Sequence, residues 1–416
     1  MRPTRTMRML AVVFVLFYLL PSGGLAQQIF QTSAPPHYVV VDLGTLGGSF
    51  AQPGGINEKG DIEGYSLLSG DTQLQAYFWH HGKFTLIPGL GGPNSFAGWA
   101  PSETGQVGVS GDIAELDPIA EDFCGIGSMF YCHPYVWQHG QITPLPLLHG
   151  NNAAANGFNN KDQVVGKAEQ AIADPSCQPP RVHASQGVIW QHGKLTTVLA
   201  NFPGDLQGSG HSINDFGQVV GWSGSCSEFV SHALLWDHGR RFDLGSLKGG
   251  DSNIAYDINN LGQVVGYSGN SDQSFAHAYL WKSGHMQDLG TLPGDSFSLA
   301  VGLNDVGDVV GGSIDLDGNE RAFLWHDGTM FDLNTLLDTD TSLFLFEAED
   351  LNSAGQIIGL AFDPESGETH GFLANPVGSN GGFATQNSRF HPPDFPDTFR
   401  KHVRERLKNR RFARFH

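Results

Sequence analysis

Ile258-Asn259-Asn260-Leu261-Gly262-Gln263-Val264-Val265-Gly266, followed by His277-Ala278-Tyr279-Leu280-Trp281-Lys282-Ser283-Gly284 and Met286-Gln287-Asp288-Leu289-Gly290, is one copy of a passage repeated from about residue 50 to residue 374. The Asn that opens its first turn recurs at Asn57, Asn159, Asn214, Asn259, Asn304 and Asn352, with Ser102 in a degenerate copy. Neighbouring copies are 45, 57, 55, 45, 45 and 48 residues apart. The Trp keeps the same register at Trp79, Trp137, Trp190, Trp236, Trp281 and Trp325, and the last copy reads Phe372-Leu373-Ala374 instead. Self-similarity at this period marks an array of supersecondary units, each too small to bury its own apolar faces.

Within the copy, Ile254 to Ile258, Gln263 to Tyr267, His277 to Trp281 and Met286 to Leu289 are short runs rich in β-branched and aromatic residues, set between Asn, Asp, Ser and Gly. This pattern predicts four strands per unit. Gly262 and Gly284 close the two recurring turns, where a tight hairpin needs positive φ at its last residue. The chain ends choose between a ring and an open array. The last copy stops after its third strand near Ala374, and Tyr38-Val39-Val40-Val41-Asp42-Leu43-Gly44 at the opposite end matches Met286 to Gly290. A first segment that supplies the outer strand of the last unit closes a ring and covers its edges. The expected fold is all-β: a seven-bladed β-propeller with four-stranded blades over residues 38–375, closed by the N-terminal strand. The alternative, an open β-solenoid, needs no such complementation.

The repeat resembles the extracellular HAF repeat family, named for the His-Ala-Phe at the start of its third strand. That motif stands here as His232-Ala233-Leu234, His277-Ala278-Tyr279, Arg321-Ala322-Phe323 and His370-Gly371-Phe372. The likeness covers most of residues 42–374, and long insertions set the second and third copies apart. It implies an exported repeat protein and brings no catalytic residue with it.

Arg2, Arg5 and Arg8 precede an apolar run from Met9 to Leu20, then Pro21-Ser22-Gly23 and Gly24-Leu25-Ala26, which is the order of a secretory signal peptide over residues 1–26. The apolar run is short for a bilayer span. Cleavage after Ala26 leaves a chain that starts at Gln27 with a linker at 27–37, secreted or held in the periplasm or cell envelope. At the other end, residues 376–396 are Gly, Ser, Asn and Pro rich and read as a linker. Residues 397–416 carry Phe399, Val403 and Leu407 at steps of four through Arg and Lys, a basic amphipathic tail suited to an anionic envelope surface.

The formal charge is −19; Arg2, Arg5 and Arg8, with nine basic against three acidic residues in 389–416, leave 11 basic and 39 acidic residues for the body. So acidic a body repels nucleic acid, which is excluded as a partner. The second-to-third loops share one face with the fourth-to-first crossovers such as Gly44-Thr45-Leu46-Gly47-Gly48, and Ser110 to Tyr131 and Ala168 to Gln186 are its long excursions. Carboxylates collect there, at Asp112, Glu115, Asp117, Glu121 and Asp122, at Asp315, Asp317 and Glu320, and at Asp363, Glu365 and Glu368. Variable loops on a rigid frame are where recognition resides, so a glycan or protein ligand is expected on this face, bound by a monomer. The uniform turns of the opposite face read as scaffold.

Cys124 and Cys132 fall in the insertion of the second unit, Cys177 in that of the third, and Cys226 in the matching loop of the fourth. An even count in an exported chain predicts bridges, and of three pairings Cys124 with Cys132 and Cys177 with Cys226 is favoured. Asp315-Leu316-Asp317-Gly318-Asn319-Glu320 alternates oxygen ligands about a Gly, as calcium loops do, which makes Asp315, Asp317, Asn319 and Glu320 candidate Ca²⁺ ligands. A bare Asp-Gly hairpin turn produces the same residues, and no other cofactor is expected. His81, His139, His192 and His238 precede a turn Gly, while His133, His232, His277 and His370 open third strands. One imidazole per unit cannot converge on one ion, so these read as turn and strand residues.

No Gly-x-Ser-x-Gly, no His-Glu-x-x-His and no phosphate-binding Gly loop occurs. The expected function is an exported, non-catalytic propeller serving as a binding or scaffold module through its acidic loop face. The alternative is a secreted hydrolase or lyase acting on polysaccharide at the channel mouth, with Asp205, His211, Asp251, Asp257 and Asp295 as its acid–base set. A deep axial pocket with converging carboxylates favours the enzyme, and a plugged channel favours binding.

Overall fold

Alternation within each strand divides its side chains between two neighbours. In the computed structural model, Val264 and Tyr279 of the fifth unit pack with Val220, Ala233 and Leu235 of the fourth, while Val265, Ala278 and Leu280 pack with Ala300, Val309 and Phe323 of the sixth. Side chains two apart share a face, so each strand contributes to two cores at once. The same arrangement joins the last unit to the first: Leu43, Ile358 and Leu373 pack with Ile56, Ile62, Tyr77 and Trp79. Residues 34–177, 183–226, 230–270, 274–338 and 341–377, with Arg400, are described. The expected signal peptide, the start of the first linker, residues 378–396 and the basic tail apart from Arg400 lie outside the described residues. Among the described residues no helix is long and apolar enough to cross a membrane, and the one named helical element is the 3-10 turn Leu333–Leu336.

Each unit forms antiparallel strands in chain order. The fifth is Ser252–Ile258, Val264–Gly269, Ala276–Lys282 and His285–Gly290, close to the four runs read from the sequence. The last is Phe344–Leu351, Ile357–Phe362 and Thr369–Val377, to which His37–Gly44 adds as a fourth strand, with His37 opposite Val377 and Val41 opposite Leu373. Besides their shared cores, the fourth and fifth units and the fifth and sixth are joined by a single parallel bridge from third strand to next first strand, Ser231 with Ser252 and Ala276 with Phe297. Phe50 and Thr369 make the same bridge between the first unit and the last.

The turn residues have the backbone expected of them. Gly262 and Gly284 stand at φ 71° and 86°, and the histidines before the third-turn Gly, His81, His139, His192 and His238, are themselves left-handed at φ 46–51°. Two consecutive positive φ values give the twist that a two-residue hairpin needs. The Trp series belongs to the packing between units: Trp190 Nε1 donates to Pro146 O at 2.7 Å and Trp236 Nε1 to Ala200 O at 2.8 Å, each in the crossover after the preceding unit. Two of the strand-opening histidines are paired within the motif. His277 Nδ1 lies 2.9 Å from Asp288 and His370 Nδ1 3.0 Å from Asp42, while Arg321 takes the same place on Asp332 at 3.1 Å.

Candidate functional site

A β-bulge interrupts the first strand of most units just before the turn Asn. It leaves one residue out of register, at Gly54, His211, Tyr256, Val301 and Glu349, and two at Asn156 and Gly157. Bulges re-aim side chains, and here they send them to a common centre. Trp99 of the second unit and His211 of the fourth stand 5.8 Å apart between ring centroids although the third unit separates them in sequence. His211 stacks on Tyr256 at 5.5 Å and 7°, and its Nδ1 is 3.0 Å from Ala255 O. Close approach restricts the next position to small residues in most units: a Cβ on Gly55 would stand 1.9 Å from Ala100 N.

Above this stack is a cavity of about 180 Å³, lined by Trp99, Val301 and Glu349, by Asp257 and Asp350, and by the turn residues Asn57, Ser102, Asn159, Asn214, Asn259 and Asn304. Two tiers of hydrogen bonds surround it. In the inner tier the Nδ2 of Asn159, Asn214, Asn259 and Asn304 donates to the backbone oxygen of the next unit's turn Asn at 2.9–3.1 Å. Asn57 reaches Ser102 O and Asn352 reaches Asn57 O, both at 3.1 Å. In the outer tier, side chains of Glu103, Asn160, Asp215, Asn260 and Asp305 accept the backbone N–H of Glu58, Glu103, Asn160, Asp215 and Asn260. Glu58 accepts that of Ser353 at 3.1 Å.

The two inner aspartates are also committed to the backbone. Asp257 accepts from Ser212 Oγ (2.7 Å), Ile258 N (2.8 Å) and Leu303 N (3.2 Å), and Asp350 from Leu351 N (2.8 Å) and Ile56 N (2.9 Å). Asp350 keeps some exposure to the cavity while protein surrounds it, and this enclosure holds its pKa well above the usual carboxylate range, with the charge of Asp257 adding to the effect and the two backbone bonds opposing it. Glu63, fully buried behind it, is raised in the same way by burial and by Asp350, against a backbone hydrogen bond from Trp99. The centre is therefore acidic in composition, with two of its carboxyl groups, Asp350 and Glu63, pushed toward the protonated form. Both oxygens of each aspartate already serve backbone N–H groups. At about 180 Å³ the cavity falls below the roughly 300 Å³ at which sites for larger organic ligands begin.

Of the acid–base set read from the sequence, only Asp257 lines this cavity, and His211 belongs to the stack beneath it. Asp205 accepts from Ser223 Oγ at 2.6 Å and lies 3.0 Å from His232 Nδ1. Asp295 is held by Arg321 at 2.8 Å, and Asp251 is exposed. The set does not converge, because these residues belong to crossovers at the other end of the strands. The cavity opens instead among the first-to-second turns, on the face read as scaffold. Asp350, Glu349 and Glu63 were not singled out by sequence reasoning. Their signal is alignment on the turn Asn, which puts Asp257 and Asp350 at one position among Gly55, Ala100, Gly157, Ser212 and Gly302.

The proposed calcium loop uses its first carboxylate internally. Asp315 accepts from Asp317 N (2.8 Å), Asn319 N (2.9 Å) and Asn319 Nδ2 (2.7 Å), the pattern of an Asx turn. Glu320 is fully buried at the start of its strand, and Asp315, Asp317 and Glu320 do not bring three ligand atoms within 4.8 Å of one another. The disulfides are the two expected, Cys124 with Cys132 and Cys177 with Cys226. They pin the loop face where strands lengthen into Gln106–Leu116, Phe130–Gln138, Gln163–Ala173 and His183–Gln191. Leu116 and Ile172 on these extensions, and Met129 in the loop just before Phe130, are exposed by 61, 51 and 60%. Beside them Glu121, Glu169 and His183 come together, a grouping the sequence did not reveal.

No protein-family model and no curated protein matches the chain. Among solved structures, it is similar to the acylaminoacyl peptidase of Pyrococcus horikoshii, at 12% identity and a TM-score of 0.49 over 77% of this chain and 50% of that one. It is similar to the β-propeller domain of the Trilobed protease from Pyrococcus furiosus, at 9% identity and a TM-score of 0.49 over 83% of this chain and 99% of that one. It is also similar to TolB from Acinetobacter baumannii, at 11% identity and a TM-score of 0.41 over 77% and 65%. The chain spans half the length of the peptidase, and these likenesses concern the fold alone.

Proposed function

We propose that this chain is a β-propeller of seven blades, closed by its N-terminal strand and exported as the HAF repeat resemblance implies, that works as a binding module through its loop face. Closure is supported by four links at one seam: the pairing of His37–Gly44 with Thr369–Val377, the Phe50–Thr369 bridge, and the bonds from Asn352 to Asn57 and from Ser353 to Glu58. The two disulfides fit an oxidising compartment and so an N-terminal export signal.

One observation carries the non-catalytic part of the reading: the stack of Trp99, His211 and Tyr256 stands beneath a cavity of only about 180 Å³ whose aspartates are bonded to the backbone. A glycan strand has no passage there to a free acid and base. Recognition then falls to the loops, where disulfides hold exposed apolar side chains among carboxylates at low entropic cost on binding. The test is an array of glycans and cell-wall components probed with the chain from Gln27, alongside the variant Leu116→Ser with Met129→Ser. Saturable binding that the variant loses, with no product released from the bound polymer, is expected. Release of oligosaccharide by the wild type, or equal binding by the variant, overturns the reading.

A further inference from the structure

Glu121, Glu169 and His183 come from three segments: the long loop of the second unit, the second strand of the third unit, and the start of that unit's third strand. One ligand atom from each lies within 4.8 Å of the others. His183 Nδ1 is 2.5 Å from Glu169 Oε1 and 3.9 Å from Glu121 Oε2. That nitrogen is buried, with the carboxylate of Glu169 as its ion-pair partner. Both glutamates are buried, at 1% and 2% exposure, while the imidazole side chain remains 36% exposed. The group therefore has an enclosed anionic side and an open side.

The carboxylate of Glu169 is held in place from behind. Its Oε2 accepts from Asn151 N at 2.8 Å, Asn152 N at 2.9 Å and Asn152 Nδ2 at 3.2 Å, which leaves Oε1 directed at His183. Asn152 is itself fixed, since its Oδ1 accepts from Cys132 N at 2.9 Å. Outer hydrogen bonds that orient a ligand are a regular part of metal sites. An imidazole nitrogen with two carboxylate oxygens suits zinc and its first-row neighbours, whereas calcium and magnesium take oxygen ligands. The other such group among the described residues, Asp174 with Cys177 and Cys226, has both sulfurs in a disulfide and no thiolate to offer.

We propose that Glu121, Glu169 and His183 bind a divalent ion of the zinc class, which ties the long loop of the second unit to the third and keeps a coordination position open toward solvent. This does not depend on what the loop face recognises.

The test uses untagged, disulfide-intact chain from Gln27, stripped with chelator and titrated calorimetrically with zinc chloride and, separately, calcium chloride, with thermal unfolding in parallel. One equivalent of zinc should bind and raise the midpoint, and His183→Ala and Glu121→Gln should each weaken that binding about tenfold or more. Should Glu121→Gln fail to fold, His183→Ala, which alters a partly exposed side chain, still decides. Absence of stoichiometric zinc binding, binding unchanged in His183→Ala, or preference for calcium overturns the proposal.

Discussion

Asn259 shows why the repeat keeps Asn where it opens a turn. Its Oδ1 accepts from Leu261 N and Gln263 N at 3.1 and 2.9 Å, and its Nδ2 donates to Gln263 Oε1 and Asn304 O at 2.7 and 2.9 Å. An acceptor and a donor are both needed at that length; Asp lacks the donor and Gln is too long. Ser102, the degenerate copy, keeps half of this: its Oγ accepts from Thr104 N and Gln106 N at 3.3 and 3.0 Å, and among the described residues it makes no link to the third unit. The two halves should therefore separate by substitution. Asn259→Ser is expected to keep the turn, lose the link and cost about 1–2 kcal/mol, and Asn259→Ala, which strips the buried N–H groups as well, roughly 2–4 kcal/mol. Urea unfolding measures both, and equal losses would contradict this division. The turn was legible in the sequence because its bonds are local. The link was not, since its partner lies a whole unit away.

At the scale of elements, alternation and glycine placement were enough to locate the strands, and the match of Tyr38–Gly44 to Met286–Gly290 located the added strand. The bulges were not legible. Gly54, Trp99, Asn156, His211, Tyr256, Val301 and Glu349 share a position but no chemical type, so no pattern announces that they meet at the centre. The added strand makes a definite demand on stability. Tyr38 is buried with Leu333, Leu336 and Leu345, Leu43 is buried with Ile358 and Ile56, and Asp42 meets His370. A chain that starts at Thr45 should unfold roughly 10 °C below one that starts at Gln27, from the loss of two large buried side chains and a strand ladder. Coincident thermal midpoints would show that the strand is dispensable.

For the whole molecule, the cysteine pairs were legible because export and an even count leave few choices. The grouping of Glu121, Glu169 and His183 was hidden, because neither glutamate has a short, motif-like spacing to the histidine and only the stacking of units two and three brings them together. Closure of the ring is the central proposal, and the bonds from Asn352 to Asn57 and from Ser353 to Glu58, which carry both hydrogen-bond tiers from the seventh unit to the first, are what support it. Lys59, Leu261, Val306 and Ala354 occupy the same exposed turn position in units one, five, six and seven. The decisive measurement is the spin-label distance between Lys59→Cys and Ala354→Cys, set against that between Leu261→Cys and Val306→Cys in neighbouring units. A closed ring gives two distributions with the same short mean; a distance between positions 59 and 354 far longer than that between 261 and 306 would mean that the array is open.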